Sequence, residues 1–103
     1  QRVSLARAFL YPSKVILMDE PFSSLDIALK VKMAVLFLGL WRSEKRTAVF
    51  VTHDVDEAAM LANRAVVLKD GAVVGDFSAE GEPSADLFAR EGLRQKLLKS
   101  LLN

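Results

Sequence analysis

The stretch "VILMDEPFSSLD", Val15 to Asp26, carries four apolar residues straight into two adjacent carboxylates and then a proline. The run Val15-Ile16-Leu17-Met18 is bounded by Pro12-Ser13 before it and Pro21 after it. That length, with breakers on both sides, predicts a short strand rather than a helix. No polar residue alternates within "VILM", so the run predicts a strand buried on both faces, as in a parallel sheet packed between helices. Asp19 and Glu20 then emerge together at the carboxyl end of that strand. Two adjacent acids at the end of an apolar run are costly unless a positive partner meets them.

Upstream, Val3, Ala6, Phe9 and Leu10 recur at helical spacing, and Pro12 ends that helix. Downstream, residues 27–43 read as a long, very apolar helix. Its core "MAVLFLGLW" is about half the roughly 20 apolar residues that a membrane span needs, so it reads as buried within the fold. "SEKR" is a polar turn. "TAVFVTH", residues 47–53, is a second β-branched and aromatic run of the buried-strand kind. Asp54 is placed to cap a helix reaching about Asn63, with Glu57 three residues on returning to the Asp54 N–H in a capping box. Residues 64–77 read as two strands around Asp70-Gly71, a strong hairpin signal. After a loop, a last helix is expected over about 85–102. It would set Leu87, Leu93, Leu97, Leu98, Leu101 and Leu102 mostly on one face, and Arg90, Arg94, Lys96 and Lys99 on the other. The order α-β-α-β-α-β-β-α predicts an α/β fold with a mostly parallel sheet, flanking helices and a closing β-hairpin.

Composition sets bounds on function. The 103 residues suit one small domain, and 51% hydrophobic with 26% charged residues describe a globular chain. A net charge of +1 argues against a bulk electrostatic grip on nucleic acid. With no cysteine, disulfides and thiolate chemistry are excluded. The opening "QRVSLARAFL" lacks the layout of a signal peptide.

In open α/β sheets, sites gather at the carboxyl ends of the strands. Asp19 sits at such an end, and His53 at the end of the next run. An aspartate in this place can hold Mg²⁺ bridging nucleotide phosphates, the arrangement known as Walker B. The adjacent Glu20 can polarise an attacking water as a general base. His53 is placed to contact a γ-phosphate or that water. Each signal has a plainer counterpart. A strand-end aspartate often only shapes a turn, a lone histidine is commonly structural, Ser23 and Ser24 suit a turn, and Asp26 suits a helix N-cap.

The four pieces "QRVSLARA", "VILMDEP", "SSLD" and "VTHD" occur in order over most of residues 1–77. As a set they resemble the ATPase subunit of ABC transporters. In that resemblance "QRVSLARA" is similar to the helix following the family's LSGGQ signature, and "VILMDEP" to Walker B with the catalytic glutamate. "SSLD" resembles the D-loop, which crosses to a partner subunit, and "VTHD" the switch-histidine loop. The resemblance implies Asp19 as the magnesium-site carboxylate, acting through water, Glu20 as general base and His53 as γ-phosphate sensor. Ser23, Ser24, Leu25 and Asp26 would form the D-loop. Cofactors would be ATP and Mg²⁺. Partners would be a membrane permease subunit and a second ATPase subunit in a homodimer, with no nucleic acid. The location would be peripheral, at the cytoplasmic face of the cell membrane. "DEPF" with "VTHDVDEA" is most similar to importers of the nitrate/sulfonate/taurine type.

The departures are as informative. The chain contains no G-x-x-x-x-G-K-[ST], and its five glycines are scattered. The Q-loop, the adenine-stacking aromatic and LSGGQ itself are absent too. The chain therefore reads as the C-terminal part of a P-loop NTPase fold, one partial ABC ATPase domain over 1–103. Without the loop that supplies N–H groups and a lysine to phosphates, the chain alone is expected to be inactive. Its uncovered strands are expected to drive self-association. Two other readings stand beside transport: a non-transport ABC-type ATPase, and a non-catalytic truncated interaction module.

Overall fold

A computed structural model describes residues 2–79, 81–86 and 88–102, and nothing is described of the side chains of Arg2, Val3, Ser4 and Ala6. Gln1, the first residue of "QRVSLARA", and Leu87, expected on the last helix, lie outside the described residues, as do the side chains of Val3 and Ala6.

The elements run α1 (Arg2–Leu10), β1 (Val15–Asp19), α2 (Ile27–Glu44), β2 (Thr47–Val51), α3 (Val55–Leu61), β3 (Arg64–Lys69), β4 (Ala72–Ser78) and α4 (Glu91–Leu102). The order matches the reading from sequence. The sheet does not form one mostly parallel layer. β1 pairs with β2 in parallel, while β3 and β4 form a separate antiparallel pair. The fold is therefore a small mixed α/β arrangement.

Local chemistry accounts for the element ends. Asp26 caps α2 by accepting from the Leu29 N–H at 2.9 Å. At its other end Lys45 takes left-handed backbone, φ 44°, and donates to the Trp41 carbonyl. Pro12 stops α1, whose last carbonyls are met by the guanidinium of Arg46: Phe9 O at 2.7 Å and Tyr11 O at 2.5 Å. The hairpin turns on Asp70 and Gly71, both at positive φ (51° and 78°), as a type I′ turn requires. Along β4, Gly75 lets α4 approach: a Cβ there would meet Ser100 Oγ at 2.7 Å.

The main core joins α1, β1, α2 and α3 through Leu5, Phe9, Ile16, Phe37, Leu38 and Met60. Phe37 is its centre, edge-on to Phe50 at 4.8 Å and tilted against Phe9 at 5.8 Å. A second cluster seats α4 on the hairpin through Ala65, Val67, Leu93 and Leu97.

Five expectations are corrected. β1 and β2 are covered on one face only; Val15, Leu17, Val49 and Val51 are exposed. α2 likewise buries one face, with Val35 and Leu36 exposed. α4 begins at Glu91, since residues 88–90 form a turn, and α3 ends at Leu61. Arg90 does not join a solvated face: it is buried, with Nη1 at 3.4 Å from the Met60 carbonyl.

Between β2 and β3 runs a groove of about 750 Å³. Residues 64–68, every position of β3 but the last, line it, as do Ala48, Phe50 and Val51 of β2. Consecutive strand residues point to opposite faces, so what borders the groove is the backbone edge of each strand. Those are the edges that β1 and β4 leave unpaired. Among the described residues no helix is long and apolar enough to cross a membrane.

Candidate functional site

The parallel register places Asp19 opposite Val51, so β1 and β2 release their chains side by side. Both leave toward the same end, and the residues just past each strand build the site. Glu20 stays tied to β2, its N–H donating to the Val51 carbonyl at 2.6 Å. Its own backbone is at φ 45°, a conformation that non-glycine residues adopt sparingly and that clusters at functional sites. Its Oε1 contacts Nδ1 of His53 directly.

Asp19 is exposed, and its side chain forms no hydrogen bond or ion pair among the described residues. Its carboxylate is thus available to a hard cation. Among the described residues no group of three or more His, Cys, Asp or Glu could hold a metal. A cation at Asp19 would have one protein carboxylate and take its other oxygens from water and phosphate. That donor set fits magnesium with a nucleotide and does not fit a dedicated protein metal cage.

The stretch after Glu20 is a turn whose anchor was not singled out from sequence. Phe22 is 1% exposed and its ring lies 6.2 Å from Phe50. Ser23 and Ser24 stand exposed at the turn, with Ser23 N–H on the Glu20 carbonyl at 3.3 Å. Leu25 packs partly against the main core, and Asp26 begins α2 as its cap. The structure brings Glu20 and His53 together. It leaves Ser23 and Ser24 exposed, and among the described residues neither hydroxyl bonds the Glu20 or His53 side chain.

His53 is itself held by its neighbours. Thr52 Oγ1 accepts from the Asp54 N–H at 3.0 Å, bridging across residue 53. Asp54 caps α3, Oδ1 accepting from Asp56 N at 2.9 Å and Glu57 N at 3.2 Å. The capping box expected from sequence does not form, because the Asp54 N–H is taken by Thr52. Glu57 instead turns inward, 1% exposed, with Oε1 unpartnered among the described residues. Asp54 Oδ2 receives Lys30 Nζ from α2.

Electrostatics reflect this geometry. The hydrogen bond and charge of Glu20 raise the His53 pKa above 6.5. Burial, with the Asp54 charge adding, pushes the Glu57 carboxyl up to about 7. Burial acts to raise Asp54, and the Lys30 hydrogen bond and the α3 amides outweigh it, so its carboxyl is held below 3.8. Lys30 and Thr52 are participants that no local spacing marked, and Glu57, marked by spacing as a cap partner, is instead buried.

The chain is 44% identical over 108 residues to the aliphatic sulfonates import ATP-binding protein SsuB of Mycobacterium avium (strain 104), covering 92% of this chain and 43% of that protein. It is 44% identical over 105 residues to aliphatic sulfonates import ATP-binding protein SsuB 1 of Paracoccus denitrificans, covering 98% and 43%. With the SsuB 1 protein of Pseudomonas syringae pv. tomato it shares 46% over 77 residues, 75% of this chain and 28% of that one. No family model matches. The chain thus spans less than half the length of the curated relatives it matches. Over nearly its whole length, it is a homologue of the ATP-binding subunits of ABC transporters.

Proposed function

We propose that residues 1–103 are the C-terminal part of an ABC ATPase domain, and that the whole subunit couples MgATP hydrolysis to solute import. The observation that carries this is the meeting of Glu20 and His53 just past two parallel strand ends, beside the open carboxylate of Asp19. Asp19 would hold Mg²⁺ through water, which supplies charge neutralisation to the phosphates. Glu20 accepts a proton from the attacking water. His53, released from Glu20, donates to the γ-phosphate. Ser23 and Ser24, exposed on the turn that Leu25 and Asp26 complete, form with them the surface offered to a second subunit. The partners are that second ATPase copy, in a homodimer, and a membrane permease, with the subunit peripheral at the cytoplasmic face of the membrane. The names of the relatives support aliphatic sulfonates as the imported class.

Glycines that could cradle phosphate are missing near this end of the sheet; the five are at 39, 71, 75, 81 and 92. The isolated chain therefore binds MgATP very weakly and does not hydrolyse it. Its open groove edges favour association with a second copy, as unpaired strand edges do.

Calorimetric titration with MgATP, with Glu20→Gln in parallel, tests this. No heat is expected from the chain up to about 1 mM ligand. In the complete subunit, micromolar binding is expected in both forms, with hydrolysis lost in Glu20→Gln. Retained hydrolysis in that variant would sink the assignment of the base.

A further inference from the structure

Two ties hold the loop carrying His53 to the segment that begins at Glu20. One is the backbone bond from Glu20 N–H to Val51 O. The other is the ion pair from Lys30 Nζ to Asp54 Oδ2. His53 lies between them in sequence, two residues after Val51 and one before Asp54. We propose that Lys30 is a positioning residue, whose bond to Asp54 sets the loop of residues 52–54 so that His53 meets Glu20. The role in catalysis rests on the reading of that pair given above; the geometric claim does not.

Three observations separate this from ordinary surface pairing. Lys30 sits one turn inside the N-terminus of α2, where a cation opposes the helix dipole, so α2 itself gains nothing from it. Asp54 needs only Oδ1 for its cap, and the second oxygen is committed to α2 instead of water. The side chains are only 14% and 19% exposed, unlike the freely solvated pairs that contribute little. Asp54, which caps α3, and Asp56 and Glu57 of α3 all act on Lys30, and among the described residues Asp54 alone bonds its side chain. Asp26 caps the start of α2, so a displacement of the 23–26 turn by a neighbouring subunit would reach His53 through Lys30.

His53 is the only histidine, so its ring proton titration reads the site directly. Removing the Lys30 charge should by simple electrostatics raise the His53 midpoint, because that charge lowers it. Lost positioning acts the other way, since His53 leaves Glu20. In Lys30→Met the midpoint is expected to fall back toward 6.5, with Lys30→Arg keeping the original value. An unchanged or raised midpoint in a folded Lys30→Met chain, judged by circular dichroism, would overturn the proposal. Should Lys30→Met not fold, Lys30→Gln is compared alone and with Asp54→Asn, which keeps the cap. Positioning predicts no further effect of Lys30→Gln once Asp54 is asparagine; an equal shift in both backgrounds overturns it. Failure of MgATP binding in the complete subunit would remove the catalytic reading and leave this titration standing.

Discussion

His53 and Glu20, 33 residues apart, hold each other through Nδ1 and Oε1 at the ends of two parallel strands. On the function proposed above, the base and the phosphate sensor are engaged with one another in this state, and a nucleotide would have to part them.

The pair should respond to pH in a definite sense. The folded pKa of His53 lies above its ordinary 6.5, so the contact contributes fully below about that pH and is lost as pH rises through the folded value. Ring titration by NMR is expected to show a midpoint above 6.5, and Glu20→Gln should bring it down. A midpoint that Glu20→Gln leaves unmoved would mean the contact does not persist in solution.

Glu57 gives a second pH term. Its carboxyl titrates near 7 when folded against 4.5 ordinarily, because burial disfavours the charge. A raised carboxyl pKa means stability is greatest below 4.5 and declines until pH passes about 7. Glu57→Gln should therefore stabilise the chain at pH 8 by on the order of 2–3 kcal/mol and change little at pH 4. Urea unfolding at the two pH values measures the difference. An equal effect at both would assign the change to packing.

Phe22 anchors the turn between Glu20 and α2. It is 1% exposed and packs on Phe50, so Phe22→Ala should cost about 3–5 kcal/mol. Asp26→Ala removes only a cap and should cost roughly 0.5–2 kcal/mol. Thermal melts of both variants rank them; a smaller loss for Phe22→Ala would show that the turn is not held by the core.

The groove between β2 and β3 makes a prediction about assembly. Its unpaired edges should draw chains together, so light scattering is expected to give a mass above 11.4 kDa. Val66, 47% exposed on β3, lines the groove, and Val66→Lys should shift the chain toward monomer. A monomer in the unaltered chain would remove the edges as the cause.

Much of this fold was legible because its determinants are local. Asp70-Gly71 requires positive φ at both turn positions, and the hairpin forms there. Asp26 is followed by a helical pattern, and it caps α2. The runs ending in Asp19 and in Thr52-His53 are β-type by composition and bounded by breakers, and the two strands pair in parallel. Reading both runs as strands of one parallel sheet placed Asp19, Glu20 and His53 at its carboxyl end.

What remained hidden depends on partners distant along the chain. An apolar run such as Val15–Met18 has the same composition whether one face is covered or both, so the exposed Leu17 could not be foreseen. Glu57 has the spacing of a capping box, yet the nearer Thr52 hydroxyl takes the amide it would have met. Arg90 belongs by periodicity to a polar face, but the helix starts after it, at Glu91, and the residue is buried. Lys30 and Asp54 stand 24 residues apart with nothing in either neighbourhood to mark a pair. Local spacing selects backbone conformation, since φ/ψ and near-neighbour hydrogen bonds are set within a few residues. Which charges meet, and which faces stay open, is settled only when the helices dock, because burial and Coulomb energy depend on distance in space.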